Sequence, residues 1–124
     1  MTGVRALEAS ALLAIVEQAG LAVVTLVEGL ECGELLRSRL TRAEVLRQLK
    51  TLADSMAQAE PAIGRGMPEL DWSGWNALRP CLSGPAGEAL DEALWFACES
   101  LVPATLLWLR VYRQSQPRLF QMQL

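Results

Sequence analysis

Residues able to take part in chemistry gather in one run, Asp71-Trp72-Ser73-Gly74-Trp75-Asn76-Ala77-Leu78-Arg79-Pro80-Cys81-Leu82-Ser83-Gly84. Arg79 carries a guanidinium, which binds phosphate and can stabilise a pentacoordinate transition state, but its pKa is too high for it to take a proton. Trp72 and Trp75, three residues apart, share a face if the segment is helical, and indoles on one face either fill a core or stack bases. Cys81 offers a thiol that becomes a base or nucleophile once a cation such as Arg79 holds it as thiolate. Asp71, Glu69 and Glu88 are the nearby acids. Missing is a base of near-neutral pKa: histidine, the side chain suited to that task, is absent from all 124 residues. The same run also has a purely structural reading, in which Arg79 pairs with an acid and both tryptophans belong to the core.

A second cluster, Arg37, Arg39, Arg42, Arg47 and Lys50, is interleaved with Glu31, Glu34 and Glu44. Arg42 and Arg47 are candidates for gripping nucleic-acid phosphate. Mixed charge without interleaved aromatics equally describes a solvated, salt-bridged helix face. Cys32, Cys81 and Cys98 lie far apart with no histidine to join them, which makes neither a zinc site nor a disulfide framework. No metal and no cofactor are therefore expected, and the thiols fit a reducing cytoplasm. Gly64-Arg65-Gly66-Met67-Pro68 reads as a loop, without the Gly-x-x-x-x-Gly-Lys spacing that cradles phosphate.

The elements that must position these residues are helices. With 52% apolar and 20% charged residues, a single domain of this length has more apolar surface than it easily hides, so oligomerisation is expected. The net charge of −3 argues against a protein that coats nucleic acid, leaving only a local basic patch for that role. The longest charge-free runs, Gln18 to Val27 and Ser100 to Leu109, fall well short of the roughly 20 residues that span a bilayer, and no secretory leader is recognisable.

A first helix is expected over about residues 4 to 29, apolar round most of its circumference, so that a surplus face is left for a subunit interface. Gly20 would let a neighbour approach closely. After a loop from Leu30 to Leu40, Thr41 and Glu44 have capping-box spacing and Leu40 with Val45 staple spacing, which starts the next helix near Arg42. That helix fades near Glu60-Pro61. Asp71 caps a short third helix, with Leu70 and Trp75 at staple positions, and Pro80 stops or kinks it. Ser83 or Gly84 then caps a fourth helix with Pro85 near its start, burying Leu90, Leu94, Ala97 and Leu101 together with Trp95 and Phe96. Pro103 begins or bends the last helix. Residues 1–116 thus form one domain and 117–124 a loosely held tail.

Beyond this, the chain resembles the HepT-like HEPN ribonuclease toxins, small helical proteins paired with a minimal nucleotidyltransferase antitoxin. The resemblance spans about Val27 to Tyr112 and rests on Val27-Glu28-Gly29-Leu30, Leu35-Leu36, Leu40-Thr41-Arg42, Val45-Leu46 and Leu49. Pro68-Glu69-Leu70-Asp71-Trp72 is similar to the family's Pro-x-Ile-x-Trp entry, Leu78-Arg79 to the start of its Arg-Asn-x-x-x-His-x-Tyr signature, and Leu101-Val102-Pro103 to its Leu-Pro opening of the last helix. Trp95 keeps the spacing of a downstream tryptophan. The signature's asparagine, histidine and tyrosine fall at Pro80, Gly84 and Ala86.

The resemblance implies an all-α, up-and-down bundle of four long helices and one short one. It also implies a homodimer whose groove brings two Arg79 segments together, with a nucleotidyltransferase-like antitoxin as partner. Arg79 is the surviving member of the catalytic signature. Loss of the general base removes about 10²- to 10⁴-fold of rate, so the reading is a catalytically degenerate cytoplasmic protein. It would serve as an interaction module for that partner, or else bind RNA or a nucleotide, with Arg79, Arg42 and Arg47 as the candidate nucleic-acid or nucleotide contacts. Two other readings are an active ribonuclease with substituted groups, Cys81 among them, and a purely structural helical dimer.

Overall fold

The computed structural model describes residues 2–121, with side chains from residue 7 onward. Helix α1 covers Thr2–Val27, α2 Cys32–Arg37, α3 Arg39–Ile63, α4 Trp72–Leu82, α5 Glu88–Phe96 and α6 Val102–Ser115. A π-helical turn, Ala97–Leu101, joins α5 to α6 in one continuous rod, and a 3₁₀ turn, Pro117–Phe120, follows. No strand occurs among the described residues, and the all-α expectation holds.

The longest helices, α1 and α3, pack along one another, and α4 lies against α3. Their shared core is Leu13, Val16 and Val23 from α1 with Val45, Leu49, Leu52 and Met56 from α3, all at most 1% exposed. On the other side of α1 runs α6, antiparallel: Leu106 lies beside Gly20, Arg113 bonds Glu17, and Ser10 donates to the carbonyls of Leu119 and Gln121. A side chain at Gly20 would place its Cβ 2.9 Å from Leu106 Cδ2, so the glycine permits this close approach.

As the composition suggests, α1 is apolar on more sides than the fold covers: Ile15, Leu21 and Val24 remain 41%, 53% and 39% exposed. The segment Leu7–Val27 and the rod Glu88–Ser115 are each long and apolar enough to cross a membrane by length and composition alone, with 33% and 39% of their apolar windows buried in this fold. Charge-free runs do not register this, because Glu17 divides α1 and Glu99 the rod.

Several boundaries differ from the expected ones. The interval Leu30–Leu40 is not all loop, since α2 forms there; Glu34 Oε1 accepts from the Glu31 amide, and Leu35 is fully buried. Helix α3 therefore starts at Arg39 rather than near Arg42. Thr41 lies within its first turn, and Leu40, 84% exposed, staples nothing. Pro61 is inside α3 and Pro80 inside α4, each followed by a buried residue, Ile63 and Leu82, whose burial favours completing the last turn despite the lost amide donor. Neither Ser83 nor Gly84 starts the next helix: Ser83 is the C-cap of α4, and α5 begins at Glu88 after Gly87, whose φ of 152° suits glycine. Pro103, near the start of α6, follows the π turn, a common way to accommodate a proline that cannot donate to the preceding turn. Residues 117–121 pack on α1 instead of hanging loose, with Arg113 4.5 Å over the Phe120 ring. The last three positions of the expected tail lie outside the described residues.

Candidate functional site

Helix α4 places the chemistry-bearing run. Asp71 caps it as expected, its Oδ1 accepting from the Gly74 amide at 2.9 Å, and Leu70 and Trp75 at the staple positions are both buried. Residues 72, 75, 78 and 82 recur at helical spacing, and all four are buried, so this face anchors the helix to the core. Trp75 is completely inaccessible, and its Nε1 donates to Thr105 Oγ1 at 3.0 Å. Thr105 in turn donates to the Leu101 carbonyl at 2.7 Å, so the indole is tied to the end of the π turn. Trp72 Nε1 donates to the Met67 carbonyl at 2.9 Å and holds the loop before α4. Both tryptophans are structural anchors, and neither presents a face on which a base could stack.

Arg79 lies in the last turn of α4, and its Nε and Nη2 both donate to Asp54 Oδ1 of α3, at 3.1 and 3.0 Å. The side chains are 44% and 58% exposed, so the pair is solvent-screened and contributes little to stability. Around it, Lys50, Ala53, Leu82 and Ser83 line a dimple of about 40 Å³. That holds a water or two, far below the several hundred Å³ of a typical small-molecule site. Gly84 closes the turn after α4, its amide donating to the Cys81 carbonyl at 3.2 Å, and Ala86 lies exposed in the loop before α5. Neither brings a functional group toward Arg79.

Cys81 does not substitute for the missing base through Arg79. Two positions apart on a helix, the side chains diverge by roughly 200°. The exposed thiol donates weakly to the Ala77 carbonyl at 3.8 Å, on its own side of α4. Cys98 is buried, and that burial pushes its thiol from 9 to about 11, which keeps it protonated and inert at neutral pH. Among the described residues no group of three metal-ligating side chains assembles.

The two other candidate arginines are also engaged. Arg42 bonds Asp91 of α5, fastening α3 to the rod. Arg47 bonds Glu44 one turn earlier on α3; that hydrogen bond lowers the carboxyl's pKa below its usual value and raises the guanidinium's. Neither lines the dimple beside Arg79. Sequence spacing could not disclose these partners, because Asp54 is 25 positions from Arg79 and Asp91 is 49 from Arg42. One aromatic also differs from expectation: Phe96, placed on the buried side from sequence, is 50% exposed. Its two-residue offset from Leu94 turns it away from the core stripe, a signal the spacing does carry. Phe96 and Trp95 flank a groove of about 530 Å³ between α2 and α5.

No family model, curated protein or solved structure matches this chain.

Proposed function

We propose that the protein is a catalytically degenerate, HepT-like helical interaction module. In this reading it acts in the cytoplasm as a homodimer and engages a minimal nucleotidyltransferase. The observation carrying the proposal is the state of the segment that resembles a ribonuclease signature. Arg79 occupies its place at the end of α4 but is paired with Asp54, while the positions corresponding to the base and the tyrosine carry glycine and alanine. A 2′-hydroxyl bound beside Arg79 would find phosphate-binding charge and no proton acceptor of suitable pKa. The apolar surface left on α1 supports association with another protein surface. A second reading, RNA or a nucleotide at Arg79, draws on the 44% exposure of that side chain, which leaves it reachable by phosphate once Asp54 is displaced.

Co-expression with the nucleotidyltransferase encoded beside this chain tests the reading. A complex that survives gel filtration is the expected result. Absence of such a neighbouring gene with no co-purifying partner, or no complex on co-expression where the gene is present, refutes the partnership.

A further inference from the structure

The rod formed by α5, the π turn and α6 buries one side along its whole length, through Leu90, Leu94, Leu101, Leu109 and Tyr112. Its solvent side carries exposed apolar residues in both halves, with Glu99 between them and further charged residues toward the ends. Phe96 and Leu107, eleven residues apart and 50% and 57% exposed, are joined by Val111 at 40%. In its N-terminal half lie Glu88, Asp91, Glu92 and, past Phe96, Glu99, which with Trp95, Phe96 and Leu36 line a groove of about 530 Å³ between α5 and α2. Arg42 neutralises Asp91, and among the described residues the other three carboxylates take part in no ion pair. Toward the C-terminal end Arg110 is exposed beside Leu107 and Val111 and is likewise unpaired among the described residues.

One helix face with an acidic first half, exposed apolar residues in both halves and a cation in its second half is complementary to itself in reverse. We infer that this face is the surface on which a second copy of the chain docks, rod against rod and antiparallel about a two-fold axis. The α6 of one protomer then fills the α2/α5 groove of the other. Phe96 meets the partner's Leu107, Glu92 meets the partner's Arg110, and two-fold symmetry makes each contact twice. The apolar contacts supply the attraction and the charges set the direction, since parallel rods would lay Glu92 against Glu92. The inference rests on the homodimer of the reading above and assigns its surface, which is distinct from the apolar face of α1.

Glu92 and Arg110 are both exposed, so exchanging them leaves the core untouched. Sedimentation equilibrium of the full chain is expected to show a dimer that dissociates more readily in Glu92→Arg or Arg110→Glu. The expected change is about tenfold or more in dissociation constant, because each substitution creates two like-charged contacts. Both substitutions in the same chain should restore the dimer, a rescue that misfolding would not produce. A dimer that persists unchanged in both single variants overturns the assigned surface while leaving the homodimer standing. A wild-type chain that is monomeric at tens of micromolar overturns both.

Discussion

Replacing Thr105 by valine removes a single oxygen from a site of nearly unchanged shape. Thr105 Oγ1 is the acceptor for the indole N–H of Trp75, at 3.0 Å, and neither residue has more than 2% of its surface exposed. Water therefore cannot reach the N–H that the valine orphans, and a buried unsatisfied donor costs about 1–3 kcal/mol. At this chain length that lowers the melting temperature by roughly 3–5 °C for each kcal/mol. The partner substitution, Trp75→Phe, removes the donor as well as indole volume, and is itself destabilising because packing is lost. With the donor gone, Thr105→Val should have little left to disrupt. Urea unfolding of the two single variants and the double variant is expected to give a coupling of about 1 kcal/mol or more. Equal effects of Thr105→Val in the two backgrounds, or no effect in the wild type, would refute the view that Trp75 is held as a structural anchor.

Other expectations follow from the packing and the thiols. Gly20→Ala should be close to neutral in denaturant unfolding, since the helix-propensity gain of up to about 1 kcal/mol offsets a small shift of the Leu106 side-chain tip. Gly20→Val should destabilise by about 1–3 kcal/mol by forcing α6 outward. Under native conditions a thiol reagent should modify Cys81 first and Cys98 only on unfolding. Because the Cys98 thiol is raised to about 11 in the folded chain, its contribution is fully present below pH 9 and is lost between pH 9 and 11, where the unfolded chain releases the proton and the folded chain keeps it. Stability should thus fall across that window, and Cys98→Ala should flatten the fall. An identical slope in the variant would assign the alkaline loss to other groups.

The helical content was legible because apolar residues recur at helical spacing in α3, α4, α5 and α6, whereas α1, apolar round most of its circumference, was legible by its long apolar composition. Asp71 as a cap and the stripe Leu90, Leu94, Ala97 and Leu101 appear in the structure as the spacing implies. Boundaries were less legible wherever tertiary burial outweighed a local rule. Leu35 draws α2 out of an apparent loop, and Ile63 and Leu82 carry their helices past prolines. The Thr41–Glu44 spacing promised a cap where the helix had already started, which shows that a capping box needs its chain entry as well as its residues. For the candidate site, sequence revealed Arg79 and the absence of a histidine but not what Arg79 touches. Its ion pair with Asp54 depends on how α4 lies across α3, and local spacing holds no record of that crossing.

Incubation of the purified protein with tRNA and with mRNA, alongside an Arg79→Ala variant, tests the degenerate reading most directly. No cleavage above background by either protein is the predicted result. Cleavage by the wild type that disappears in Arg79→Ala would contradict it, because a working base would then have to act beside Arg79.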